Sequence, residues 1–127
     1  VILDTSVILA VLLEEPDFGL LLAKLNQAKS RSVSTTNLVE CSMVFAGRSK
    51  DSKLLLTEFL QEFEVTTIPF SEVHWRVATD AFLRFGKGRH PAALNFGDCM
   101  AYATAKVAGQ PLLCIGNDFV QTDLALA

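Results

Sequence analysis

The chain has no CxxC or CxxH pair, no glycine-rich loop after its first apolar run, and no apolar stretch long enough to span a bilayer. Each absence removes a class. Without paired cysteine and histidine spacing, a zinc site of the usual kind is not expected. The three cysteines, Cys41, Cys99 and Cys114, are odd in number and lie among apolar residues, so they read as free buried thiols of a reducing cytoplasm. Val7 to Leu13 is far too short for a transmembrane helix. The opening Val1-Ile2-Leu3-Asp4 carries no basic n-region, which argues against a signal peptide and for a cytoplasmic protein without membrane contact. Asp4-Thr5-Ser6-Val7 is not a phosphate-cradling loop, which weighs against a nucleotide-binding module. A receiver-like phosphoacceptor would need a lysine after the last strand, where this chain has Gly116-Asn117-Asp118. The net charge of −3 rules out a positively coated surface but leaves room for a local basic patch.

What is present is compact. A chain of 127 residues, half of them hydrophobic, fits one domain with one core, and no repeat, low-complexity segment or linker divides it. Val1-Ile2-Leu3 reads as a buried strand and the run from Thr5 to Leu13 as a helix. Asp17 is placed to cap a second helix reaching about Lys29, with Leu21, Leu22 and Leu25 inward. Residues 31–35 form a weak strand. Helices follow over 37–48, with Leu38, Val39, Met43 and Val44 as its apolar residues, and over 49–63, with Leu54, Leu55, Phe59 and Phe63 inward. Residues 65–68 are β-branched and read as a strand. The next helix, 71–85, carries Val73, Val77, Ala81 and Phe85 at helical spacing. Gly86, Gly88 and Pro91 break the chain into a loop. A small-residue helix opens at Asn95-Phe96-Gly97-Asp98, and Leu112 to Ile115 is the last strand. Alternating strands and helices predict a parallel α/β sandwich.

Ligands of open α/β sheets bind beyond the carboxyl ends of the strands. Asp4 ends the first strand, Asp118 follows the last, and Asp98 starts a helix entered from the same edge. Glu40 interrupts an apolar stretch, where a lone carboxylate is costly without a partner. Each has a plainer explanation. Asp98 suits a helix cap, Asp118 sits in ordinary turn chemistry beside Gly116 and Asn117, and Glu40 is unremarkable if its helix face is exposed. Asp4 has the weakest such alternative. Gathered carboxylates repel one another, and a divalent cation with all-oxygen ligands, Mg²⁺ or Mn²⁺, relieves that repulsion. The basic loop Arg84, Lys87, Arg89 and His90 directly precedes the Asp98 helix and is suited to a phosphate backbone. His90 before Pro91 in a loop is a poor general base, and His74 beside Trp75 reads as structural.

Taken together, Val1-Ile2-Leu3-Asp4-Thr5-Ser6, the helical Glu40 and Asn95-Phe96-Gly97-Asp98 resemble a PIN-domain ribonuclease over essentially the whole chain. Phe85 to His90, Gly116-Asn117-Asp118-Phe119 and Thr122-Asp123 are similar to one subgroup of VapC-type toxins. The resemblance implies a three-layer α/β/α sandwich around a mostly parallel sheet, forming a single PIN domain over 1–127. It implies a metal-dependent endoribonuclease toxin that leaves 3′-hydroxyl and 5′-phosphate ends. Asp4, Glu40 and Asp98 would hold Mg²⁺, with Mn²⁺ as an alternative. The fourth position falls to Asp118, favoured for its charge, or to Asn117. Ser6 would support the site by orienting Asp4 or holding a water, with Thr5 less suited. Arg84, Lys87 and Arg89 would bind RNA. The implied partners are an antitoxin, seated on the apolar helices that hold Ile8, Leu9, Val11 to Leu13, Phe18 and Leu20 to Leu22, and a second copy of the chain. The dimer would form through the 71–85 helix or the Asp98 helix. The competing reading is a catalytically degenerate PIN-like module that only binds proteins or nucleic acid.

Overall fold

The computed structural model describes all 127 residues. Four short strands, β1 (Ile2–Leu3), β2 (Ser32–Ser34), β3 (Thr66–Ile68) and β4 (Leu112–Leu113), form one parallel sheet in the order β3-β2-β1-β4. Ile2 lies opposite Ser32 on one side and Leu112 on the other. The C-terminal residues extend the sheet beyond β4, where Leu112 N–H donates to the Ala125 carbonyl and Ala127 N–H to the Leu112 carbonyl, both at 2.9 Å.

Six helices cover the sheet: α1 (Thr5–Leu12), α2 (Phe18–Gln27), α3 (Thr35–Ala46), α4 (Ser52–Glu62), α5 (Glu72–Phe85) and α6 (Phe96–Ala108). They divide the core in two. One half packs α5 and α6 around Ile2, Leu94, Tyr102 and Phe119. The other packs α1 to α4 around Leu3, Val7, Leu25, Val33 and Phe59. Alternating residues of β1 serve the two halves, Ile2 on one face and Leu3 on the other, as the twofold side-chain period of a strand requires. This is the α/β sandwich expected from the sequence.

The element order follows the sequence reading, but several faces turn differently. On α3 the buried stripe is Asn37, Cys41 and Phe45, while Val39, Met43 and Val44 face outward. On α4 Leu56 is buried and Leu54 exposed, and on α5 His74 and Ala78 take the place expected for Val73. Asp17 precedes α2 with a left-handed φ of 65° and makes no side-chain capping bond. Its carboxylate makes none of the bonds expected of it to the free N–H groups of that helix start. His74 is structural: its Nδ1 accepts from Ser71 N–H at 3.0 Å at the start of α5.

Candidate active site at the carboxyl edge of the sheet

β1 stops after Leu3 because Asp4 turns the chain into α1. The Asp4 carboxylate caps that helix, accepting from Ser6 N–H at 3.2 Å and from the Ser6 hydroxyl at 2.6 Å. Asp4 therefore has a structural function that its position in the sequence had not suggested. Ser6 Oγ also accepts from Ile115 N–H at 3.1 Å, which ties the end of β4 to the end of β1. Two strand ends and the first acid are thus locked by one hydroxyl.

Glu40 lies two turns into α3, half-buried, and accepts a hydrogen bond from the Thr5 hydroxyl. Its carboxylate fills the place that a Cβ on Gly97 would take. α6 can therefore approach α3 closely only with glycine at this point. One residue on, Asp98 closes a capping box with Asn95: Asp98 N–H donates to Asn95 Oδ1 at 2.9 Å, and Asn95 N–H donates to Asp98 Oδ2 at 3.0 Å. Capping engages one carboxylate oxygen and leaves the other free, so the cap and the acidic site coexist in one side chain.

The carboxylates feel one another. Burial pushes the Asp98 carboxyl up to about 6, and the charges of Asp4, Asp118 and Glu40 add to the rise. Asp4 is raised by burial and by Glu40, while its bonds from Ser6 pull the other way. Asp118 stands at the exposed rim in the turn after β4, near enough for its charge to reach Asp98. Asn117 beside it is also exposed. Two thiols border the cluster: burial, with the neighbouring acids, pushes Cys41 up to about 12 and Cys114 up to about 11, so both stay protonated. No three acidic, histidine or cysteine side chains stand within joint ligating reach of one point. An all-oxygen donor set this open fits a hard cation that keeps part of its water shell, the habit of Mg²⁺ and Mn²⁺.

The basic residues are arranged less uniformly. Arg84 pairs with Asp123 at 3.6 Å and lies over the Phe85 ring. Asp123 also takes Lys106 at 2.8 Å and the Tyr102 hydroxyl at 2.5 Å. Arg89 lies over Phe82 at 5.6 Å, and Lys87 is exposed. His90 anchors their loop, its Nδ1 accepting from Ala92 N–H at 3.0 Å and its ring meeting Phe85 edge-on. Sequence reasoning passed over Asn37 and set Thr5 behind Ser6; in the fold Thr5 donates to Glu40 and accepts from Asn37. The one available signal was a polar residue on the inward side of α3, one turn ahead of Glu40.

The family model for the PIN domain matches residues 1–124. The chain belongs to the PIN-domain family. It is 45% identical to "Ribonuclease VapC36" of Mycobacterium tuberculosis over 125 residues, 97% of this chain and 90% of that protein. It is 38% identical to "Ribonuclease VapC" of Mycolicibacterium smegmatis, covering 98% and 97%. Among solved structures, Mycobacterium tuberculosis VapC20, described as a sarcin-ricin loop cleaving toxin, superposes with a TM-score of 0.80 at 14% identity, covering 99% of this chain and 97% of that one. VapBC2 from Rickettsia felis, bound to a DNA fragment from its promoter, superposes at 0.77 and 16%, covering 99% and 96%.

Proposed function

We propose that this chain is the ribonuclease toxin of a toxin–antitoxin pair, hydrolysing RNA phosphodiester bonds at the acidic edge of its sheet. One observation carries the reading: in a PIN domain whose 45%-identical relative is a VapC ribonuclease, Asp4 from the end of β1, Glu40 from α3 and Asp98 from α6 meet at one edge, where burial and the neighbouring acids hold Asp4 and Asp98 above the usual carboxylate range. Asp4, Glu40 and Asp98 would hold Mg²⁺ or Mn²⁺ in part through the ion's own water shell, since no three of these side chains stand within joint ligating reach, with Asp118 at the rim and Asn117 as the alternative fourth residue. Such an ion, when bound, supplies Lewis-acid activation of water and neutralises charge on the phosphoryl oxygens. Ser6 orients Asp4 through the 2.6 Å bond between them. Lys87 and Arg89, with Arg84 behind them, position the phosphate backbone.

Two surfaces suit the partners. A cavity of about 270 Å³ lies between α1, α2 and α4, lined by Val11, Leu12, Phe18, Leu22, Leu55 and Phe59 and bordered by Glu14, Glu58 and Glu62. It takes the apolar face of an antitoxin helix with basic flanks. Ile8, expected on this surface, is wholly buried beneath it, and α4 supplies the second wall. A wider groove of about 530 Å³ runs between α5 and α6, lined by Phe70, Trp75, Phe82, Phe96 and Met100, and suits a homodimer. Light scattering at tens of micromolar checks the dimer, and a monomeric mass would contradict it.

The deciding experiment is RNA cleavage with Mg²⁺ or Mn²⁺ beside the Asp98→Asn variant. The variant is expected to keep its circular dichroism spectrum, lose metal binding in titration calorimetry, and cleave at least about a hundredfold more slowly. Unchanged metal affinity and cleavage in the folded variant would sink the assignment.

A further inference from the structure

We infer that Asn37 is a positioning residue of the acidic site: through Thr5 it sets the Glu40 carboxylate, and through the Gly97 carbonyl it sets the helix that carries Asp98. The inference rests on the metal-site reading above and extends it to residues that touch neither ion nor RNA.

Asn37 is 1% exposed and lies one turn ahead of Glu40 on α3. A buried amide is costly unless its donors and acceptor are all engaged. Here they are. Oδ1 accepts from the Ser34 hydroxyl at 2.7 Å. Nδ2, with two hydrogens, faces Thr5 Oγ1 at 3.2 Å, the Gly97 carbonyl at 3.2 Å and Glu40 Oε1 at 3.4 Å. The orientation of the amide follows from its partners. A carbonyl can only accept, so the nitrogen must face Gly97. Thr5 has one hydroxyl hydrogen and gives it to Glu40, so it must accept from Asn37. The result is a directed chain, Ser34 to Asn37 to Thr5 to Glu40, in which each donor polarises the next.

The chain joins the three elements that carry the acids. Thr5 is the neighbour of Asp4, Gly97 the neighbour of Asp98, and Glu40 is on the same helix as Asn37. A leucine at position 37 would fill similar space but leave Thr5 and the Gly97 carbonyl short of a donor. The side chain thus matters for where the acids sit, and packing alone would not require an amide.

The test compares Thr5→Val, Thr5→Ser and Asn37→Leu with the wild-type chain, by Mn²⁺ titration calorimetry, RNA binding, and cleavage at saturating RNA. Removing an outer partner of a metal ligand typically weakens metal affinity by about ten- to a hundredfold, and that loss is expected for Thr5→Val and Asn37→Leu. RNA affinity is expected to hold, and excess Mn²⁺ to restore part of the cleavage. Thr5→Ser keeps the hydroxyl and is expected to retain Mn²⁺ affinity. A merely structural residue would lower the melting temperature without this split between metal and RNA. Folded Asn37→Leu or folded Thr5→Val with wild-type Mn²⁺ affinity would overturn the inference. If Asn37→Leu does not fold, the valine and serine pair decides alone. A wild-type chain that takes up no Mn²⁺ would defeat the metal-site reading instead, so the two failures are distinguishable.

Discussion

Gly97 lacks a side chain where the Glu40 carboxylate needs the room. Adding one methyl there would press on the far end of a flexible side chain, and the cheapest response is for Glu40 to swing away. Gly97→Ala is therefore expected to remain folded while losing cleavage by at least about tenfold, as displaced metal-site groups generally do. A folded variant with full activity would show that Glu40 can serve from another rotamer. At this scale the sequence exposed the acids but hid what orders them. Asp4 and Asp98 stand out because an acid at a strand end or helix start is visible in a single line of text. Asn37 and Thr5 do not stand out, because their partners lie 32 and 60 residues away along the chain. The capping reading of Asp98 and its site reading compete in the sequence, whereas the carboxylate has two oxygens and capping takes only one.

Elements were legible to within a few residues at each end, since hydrophobic period and Gly or Pro breakers mark them locally. Their faces were less so. Val39 and Met43 on α3, Leu54 on α4 and Val73 on α5 are apolar yet exposed, and only the neighbouring elements decide which side of a helix is inward. The basic loop shows the same limit. Arg84 is on α5 and is partly neutralised by Asp123, while Lys87 and Arg89 belong to the loop itself. Arg89→Ala is accordingly expected to weaken RNA binding and flatten its salt dependence by about one unit in log–log slope. Arg84→Ala should flatten it less. Cleavage at saturating RNA should change little in either variant. Loss of cleavage at saturation in Arg89→Ala, with affinity intact, would make the loop catalytic.

At the scale of the whole molecule, the gathered acids make stability depend on pH in an unusual direction. Asp98 is raised to about 6 by burial and by its acidic neighbours, and Asp4 is raised as well. A carboxyl raised in the fold contributes stability that is fully present below its unfolded value, near 3.9, and is lost as pH rises through its folded value. Asp123 works in the opposite sense. Burial alone would raise it, but the hydrogen bonds from Lys106 and Tyr102 and the charges of Lys106 and Arg84 hold it at about 2. Its contribution is present above its ordinary value and lost only as pH falls through about 2, so it stays constant between pH 5 and 7. In EDTA the melting temperature is therefore expected to fall from pH 5 to pH 7, by the equivalent of about 1–2 kcal/mol once solvent screening at the half-buried Asp98 is allowed for. Asp98→Asn should melt higher than the wild type at pH 7 and show a flatter profile. Mn²⁺ at the proposed site would bind the ionised acids, so it should raise the melting temperature more at pH 7 than at pH 5, with about 2.7 kcal/mol expected at a hundred times its Kd. Calorimetric scans across this range, with EDTA and with Mn²⁺, check all three expectations. A wild-type melting temperature that rises with pH in EDTA, matched by Asp98→Asn, would mean that the acids do not share the buried field described here.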